Sequence, residues 1–456
     1  MEALLRKKGV YVVGGTLRDH LLEREPMDID IAVHGDPKAL ARELAEKLQS
    51  RVITMGSRAH PLFRVVTHTR IFDISSLQGN TIEEDLRNRD FTVNAIAYET
   101  LSARVIDVAH GLQDIQKKQI RQVSKNAFQA DPLRLLRAFR IAAQLGFQIE
   151  KDTRKTIRQN GHLISESAAE RVRSELFHIL GAPDTHIWLQ AMTDTGVLFH
   201  ILPEMAAIKD CPQNGHHFHD GLERAIQTVH QMEALITEVQ ARRPGHRPSL
   251  ESMDLHRQIR LKLAALLHGM DKPPSPPGAI AGHPGPNGRA TGSAARVAAI
   301  GERFRFSRNE ISHAVQVVQN YRYPMHLFPA WRKKRLTRRH IVRFFFKTQG
   351  VTTDVLLLAL AGNRAGQPSS HSVNTEFEQF VNELIRQHDL EFIPSLAAPA
   401  LISGHDLIRE LNLSPSPLFK QILSRTREDQ LAGKITTRKE ALNLATNLLT
   451  ARTLHA

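Results

Sequence analysis

Along the first 110 or so residues, short apolar runs alternate with polar turns and brief helical patterns; from about residue 112 the spacing becomes helical and stays so. Val10 to Val13 predicts a strand, Leu17 to Leu22 a short helix, and Ile29 to Val33 a second strand. Pro37 to Leu48 predicts an amphipathic helix, with Leu40, Leu44 and Leu48 at four-residue spacing. Phe63 to Thr67 and Arg70 to Ser75 predict two strands joined by His68-Thr69. The alternation predicts a small α/β domain on a mixed sheet. Further on, Ala130 to Arg140 predicts a strong helix with Pro132 at its first position, where a missing amide donor costs nothing. Another helix opens at Ala169. Lys272 to Ala295, dominated by Pro, Gly, Ala and Ser, predicts a linker or long loop, and the chain from about 345 predicts helices joined by short loops.

Composition narrows the partners. The 456 residues are 41% hydrophobic, enough for ordinary cores, and carry a formal charge of +14. Such basicity points to a polyanion, nucleic acid or an anionic membrane surface. No apolar run approaches a membrane span, and Met1 to Gly9 is too charged for a signal peptide, so a cytoplasmic setting is expected. A lone cysteine, Cys211, excludes an internal disulfide framework and a cysteine-built zinc site. The densest basic run spans Trp331 to His340. Charge runs are often solvated helix faces, but the global charge favours RNA-phosphate contacts through Arg332, Lys333, Lys334, Arg335, Arg338 and Arg339.

The candidate chemistry begins at Tyr11 to Val33. Strand alternation sets Asp28 and Asp30 on one face, their Cα atoms roughly 6.5 to 7 Å apart, while Ile29, Ile31 and Val33 point to the core. Two carboxylates side by side invite a divalent cation, with Mg²⁺ the natural candidate. Equally, an isolated Asp-x-Asp reads as the exposed face of an edge strand, and Gly14-Gly15 by itself is a turn.

Five ordered strings decide between those readings. VYVVGGTLRDHLLEREPMDIDIAV, EEDLRNRDFTVNAIA, VIDVAHGLQDIQKKQIRQV, ADPLRLLRAFR and AERVRSEL, spread over about the first 180 residues, resemble the successive motifs of the bacterial class II tRNA nucleotidyltransferases and related poly(A) polymerases. The resemblance continues through Asp354 to Gly362, Ile402 to Leu407 and Ile435 to Ala441. It implies an α+β fold: a small polymerase-β-like head on a mixed sheet, followed by an all-α neck, body and tail. Expected boundaries are 1–125 for the head, 126–200 for the neck, 201–330 for a degenerate HD-like domain with its loop at 272–295, and 331–456 for the tail.

The implied activity is template-independent extension of an RNA 3′ end with C and A from CTP and ATP. Asp28 and Asp30 would hold two Mg²⁺ ions, and Asp73 matches the position of a third acidic residue. Gly14 and Gly15 would let the backbone approach phosphates, with Arg18 pairing the triphosphate. Arg89, Asp90 and Asn94 fall where the family contacts the ribose and triphosphate. Asp131 and Arg134 fall where it reads the base, with Arg137 and Arg140 further along the same helix. A carboxylate and a guanidinium match the amino-plus-acceptor edge that cytosine and adenine share and uracil and guanine lack. Asp131 before a proline also reads as a plain helix cap.

Two departures bear on the product. Ala130 stands where full CCA-adding members often have Glu. Only Ser75 to Ile82 fills a gap that in many relatives holds a longer flexible segment associated with the switch from C to A. A CC-adding specialist therefore stands beside the full CCA enzyme, with a poly(A) polymerase as the alternative in the superfamily. A phosphohydrolase is the alternative from another class. His216, His217, His219, His268, Asp271 and His283 resemble an HD-type domain, but His268-Gly269 replaces the His-Asp doublet. Losing one ligand of a small set predicts a remnant rather than a working metal site.

Overall fold

Alternating β-branched and aromatic residues form the strands of the first part of the chain, and parallel pairing at its centre sets the topology. This computed structural model describes residues 5–26, 28–56, 61–209, 221–241, 248–270, 286–366 and 371–453. The chain splits into two compact units, Met1–Pro203 and Glu204–Ala456.

In the first unit, β1 (Val10–Val13), β2 (Asp28–Val33), β3 (Val52–Gly56), β4 (Pro61–Val66), β5 (Ile71–Ser76), β6 (Ile96–Glu99) and β7 (Arg104–Asp107) form one seven-stranded sheet. Its order is β3-β4-β5-β2-β1-β6-β7. Only β2 and β5 run parallel; the other pairs are antiparallel, giving the expected mixed sheet. A parallel pair needs a long crossover. Here it consists of α2 (Pro37–Lys47), β3 and β4, with α1 (Gly15–Leu21) preceding β2.

The period of two sorts the sheet into two faces. Val10, Ile29, Ile31, Val33, Phe63, Val65, Phe72 and Ile74 are buried on one face with Leu40, Ala41 and Leu44 of α2. The other face sets Val13, Ala32 and Ala97 in a cluster with Ile82 and Leu86 of α3 (Ile82–Arg87). That second face also carries Arg64, Asp73, Asp28 and Asp30.

Helices follow: α4 (Gly111–Gln116), α5 (Arg134–Leu145) and α6 (Ala169–Gly181) among them. The expected helix start at Pro132 moves to Arg134. Asp131, pushed out of the helical region by the proline that follows it, is extended at φ −148° and ψ 101°.

Among its described residues the second unit holds helices and no strand. Its most buried helix, α9 (Thr352–Ala365), runs beside α7 (Leu255–Leu267) and α8 (Arg308–Asn320). The predicted loop at 272–295 is corrected in its second half, where a helix runs Pro286–Arg303; residues 271–285 lie outside the described residues. The basic run is not one helical face. It spans the end of the helix Tyr323–Arg332, a turn, and the start of Arg338–Lys347. Arg332 pairs with Glu376 at 2.8 Å and Arg339 with Asp429 at 3.4 Å, while Lys333, Lys334, Arg335 and Arg338 are exposed. No single helix among the described residues is long and apolar enough to cross a membrane.

Candidate active site

The three sequence-predicted carboxylates meet on one sheet face. Asp30 of β2 is the register partner of Asp73 on β5, and Asp73 is in turn the partner of Arg64 on β4. Arg64 grips Asp73 through both oxygens at 2.7 Å. Thr16 ties this strand to α1: its hydroxyl donates to the Asp28 carbonyl at 3.1 Å and accepts from the Asp30 amide at 2.7 Å.

The charge of the cluster is not balanced. Burial pushes the Asp30 carboxyl up to about 6, with further upward push from Asp73 and Asp28; Arg89 and Arg18 offset only part of it. Gly14 explains the tight geometry. Its φ of +71° favours glycine, and a Cβ there would meet Asp30 Oδ2 and Arg89 Nη1 at 3.0 Å each. Arg18 donates to Asn94 Oδ1 at 2.7 Å and to Asp19 at 2.8 Å.

The Arg89-to-Asn94 segment is clamped from several sides. Phe91 and Val93 are fully buried, each contributing about 1.5 to 3 kcal/mol of apolar burial. Thr92 donates to Asp114 at 2.6 Å, and Arg121 grips the same carboxylate. A Cβ on Gly111 would collide with the Thr92 carbonyl at 2.1 Å, so only glycine lets α4 approach. The string around VIDVAHGLQDIQ thus braces the neighbouring motif.

Asp90 accepts from Arg137 at 2.6 and 2.9 Å, from Asn94 at 3.1 Å and from the Phe91 amide at 2.8 Å. Burial alone would raise its carboxyl, but the Arg137 charge and these hydrogen bonds outweigh it and hold it down at about 2.

These groups open on one cleft of about 290 Å³ that takes in Gly14, Asp30, Arg89, Asn94, Asp131 and Arg134. Gly15, Asp90 and Arg137 also line it. Asp131 precedes α5 rather than lying on it, yet both members of the Asp131–Arg134 pair face the cleft. Asp131 accepts from the Leu133 amide at 3.2 Å and from Arg171 of α6 at 3.0 Å. Arg134 donates to the carbonyls of Asn88, Arg89 and Ala127 at 2.8, 3.3 and 3.4 Å, which leaves two of its five N–H groups for a ligand. Arg140 is not among the lining residues; it pairs with Glu175 at 2.6 Å and braces α5 on α6.

Sequence reasoning missed several contributors. Asp85 lines the cleft and anchors Arg89 at 2.9 Å, a pairing visible in the sequence as acid and base four residues apart across the end of a helix. Gln78 and Asn88 also line it, and Arg64, Thr16 and Arg171 hold catalytic candidates in place. For these last three only strand register and helix docking supply the signal.

The histidine candidates fare differently. His216, His217, His219, Asp271 and His283 lie outside the described residues, as does Cys211. His268 is buried, hydrogen-bonded through Nδ1 to the Ala265 carbonyl at 2.7 Å and edge-on to Tyr321. Burial pushes its imidazole down to about 4, so it is neutral and packed.

As a donor set, Asp28 and Asp30 offer only oxygen, and the shortage of positive charge at Asp30 suits a hard divalent cation, while Asp73 beside them is held by Arg64. Acidic groups on a sheet face, joined in one cleft to arginines, match a nucleotidyltransferase, a class of enzyme that generally works with a divalent metal.

Comparison with known proteins agrees. Residues 10–121 match the poly A polymerase head domain, and residues 146–209 match the probable RNA and SrmB-binding site of polymerase A. The chain is 30% identical to the CC-adding tRNA nucleotidyltransferase of Synechocystis sp. over 96% of its own length and 93% of the relative's. It is also 30% identical to the A-adding tRNA nucleotidyltransferase of Deinococcus radiodurans, over 95% of this chain and 94% of that one. Among solved structures, a CCA-adding enzyme with CTP superposes with a TM-score of 0.66 at 20% identity, covering 98% of this chain and 94% of the other. The Thermotoga maritima CCA-adding enzyme complexed with tRNA gives 0.61 at 19% identity over the same shares. The chain belongs to the tRNA nucleotidyltransferase family.

Proposed function

We propose that this chain adds C, A or both to the 3′ end of tRNA without a template, transferring nucleotides from CTP and ATP and releasing pyrophosphate. The observation that carries this reading is a single cleft holding Asp30, beside Asp28 and Asp73, at one side and the Asp131–Arg134 pair at the other. Asp28 and Asp30 are the residues that would hold Mg²⁺, with Asp73 next to them. When bound, the metal supplies a Lewis acid that lowers the pKa of the attacking hydroxyl and neutralises charge on the triphosphate.

The remaining work belongs to side chains and backbone. Gly14 and Gly15 leave room for phosphates, and Arg89, held by Asp85, presents its guanidinium to them. Asp90, held ionised by Arg137 and Asn94, fixes the cleft wall against which the ribose lies. Asp131 accepts from the exocyclic amino group of the base, and the free N–H groups of Arg134 donate to the adjacent ring nitrogen. Uracil and guanine present the reverse pattern and lose both bonds. An RNA 3′ hydroxyl then attacks the α-phosphorus in line, opposite the departing pyrophosphate.

One local observation favours CC addition. The connection after β5 is short and pinned: the Gln78 amide donates to Asp85 at 2.9 Å, the Asn80 amide to Glu84 at 2.7 Å, and Thr81 caps α3. Nothing there resembles the longer flexible segment associated with the switch to A. The test uses three acceptors, ending before CCA, after C and after CC, with CTP and ATP supplied separately and together. Arrest at CC supports the narrower reading. One A added only to the CC end names an A-adding enzyme, long A tails name a poly(A) polymerase, and no incorporation with any acceptor rejects the proposal.

A further inference from the structure

The cleft occupies one side of the carboxylate cluster. From Asp30 it runs toward Gly14, Arg89 and Asp131. On the opposite side the same sheet face continues across β5 and β4 to the edge strand β3, and there its side chains stand open. Ile53 is 49% exposed, Met55 41% and Val66 42%.

Register places this strip relative to the chemistry. One rung runs Asp30, Asp73, Arg64, Ile53, and the next runs Asp28, Ile71, Val66. With about 4.8 Å between strands, Ile53 lies roughly 14 Å from Asp30 and Val66 roughly 10 Å from Asp28. A hollow of about 500 Å³ opens at this edge, lined by Leu48, Arg51, Ile53, Val66, Thr67 and His68 among others. None of its lining residues is acidic. Scattered exposed apolar side chains are ordinary, and an edge strand usually carries charge that blunts it. Here apolar residues share the face of the carboxylates and meet a cation at the far end.

We propose that this strip, Ile53, Met55 and Val66 with Arg51 beside them, seats the RNA nucleotides that immediately precede the reactive 3′ hydroxyl. The proposal rests on the nucleotidyl-transfer reading above. In-line displacement requires the hydroxyl to approach from the side opposite the leaving pyrophosphate. Gly14 and Arg89 take the triphosphate side, so the RNA arrives over β5, β4 and β3. Single-stranded RNA is held by flat or apolar surfaces under its bases and by cations at its phosphates, which is the combination this edge presents.

The test uses the full chain and a tRNA transcript lacking CCA. Ile53→Asp and Val66→Asp should each raise KM for the transcript roughly tenfold while leaving KM for CTP unchanged. Ile53→Phe, which enlarges the stacking surface, should lower KM for the transcript. Because both positions are open to solvent, melting temperatures should match the parent and separate lost binding from lost folding. A parent enzyme that incorporates no CTP would reject the transfer reading itself. An active parent whose Asp variants keep the parental RNA KM would overturn the strip alone. So would a chain that self-associates in sedimentation and is dissociated by Ile53→Asp with RNA KM unchanged, since the strip would then join two copies.

Discussion

Two aspartates, one in each unit, are both pushed up by burial and end shifted in opposite directions. Asp354, on the most buried helix of the second unit, is gripped by Arg257 at 2.6 and 2.9 Å and by His313 at 2.7 Å. Burial would raise its carboxyl, but these partners outweigh burial and hold it below the usual carboxylate range. Asp30 has Asp73 as its register neighbour and Asp28 two residues away on its own strand; Arg89 and Arg18 do not offset burial and these acids, so its carboxyl rises to about 6. Depth alone would order them the other way, since Asp354 is buried and Asp30 only part-buried; the partners decide. A buried charge whose partners close around it is a structural tie; one left short of positive charge is poised for a cation from solution. Asp90 makes the same point inside the first unit, where Arg137 and Asn94 close around it.

That contrast can be broken by mutation. The largest effect is expected at the unbalanced site: Asp28→Ala or Asp30→Ala should cut CTP incorporation into tRNA lacking CCA by about 10³-fold or more. Incorporation surviving in both variants would remove these carboxylates from the chemistry. At the closed site, Asp354→Ala should cost about 3 to 5 kcal/mol of stability, because Arg257 is left buried without its partner. Urea unfolding of the variant beside the parent measures this, and a loss below about 1 kcal/mol would mean that the network is not a structural tie.

Asp30→Asn should act in the opposite direction on stability. The folded-state carboxyl titrates at about 6, above its ordinary value of 3.8, so the ionised form costs stability as pH rises through that window. In EDTA above pH 6 the variant should therefore be more stable than the parent by about 1 to 3 kcal/mol, and the gain should vanish near pH 4. Thermal melts across that range decide it; a variant less stable at pH 7.5 would show that Asp30 is already neutralised. The smallest effect belongs to His268. With its ring neutral and packed, His268→Gln should leave CTP incorporation within about twofold of the parent and create or abolish no phosphodiesterase activity. A phosphodiesterase lost with His268 but retained in Asp28→Ala would revive the hydrolase reading.

Much of this is legible in the sequence. Alternation along Asp28 to Val33 assigns Asp28 and Asp30 to one face and Ile29, Ile31 and Val33 to the other, and the structure agrees. Helical spacing likewise found α2, α5 and α6 to within a few residues. Where the structure departs from these expectations, a neighbouring or tertiary effect overrides the local rule. A proline at a first helical position is permitted, but the geometry it imposes on the preceding residue moved Asp131 off the helix. A Pro/Gly-rich stretch lowered helix propensity without preventing a helix from Pro286. The dense basic run, expected to face RNA phosphates as a whole, has two of its arginines claimed by Glu376 and Asp429, distant in sequence.

By itself, the order of residues determined which chemistry was on offer: paired carboxylates at a spacing of two, glycines before them, and arginines in recurrent strings. Those are local facts, because a strand or a helix presents its side chains with a fixed period. Only the tertiary structure decided which charges remain uncompensated. The parallel pairing of β2 with β5 set Asp73 beside Asp30, antiparallel β4 brought Arg64 to Asp73, and the docking of α5 gave Arg137 to Asp90. The excess of carboxylate over cation at Asp30 is a sum over strands distant in the chain, and electrostatic energy depends on separation in space rather than in sequence.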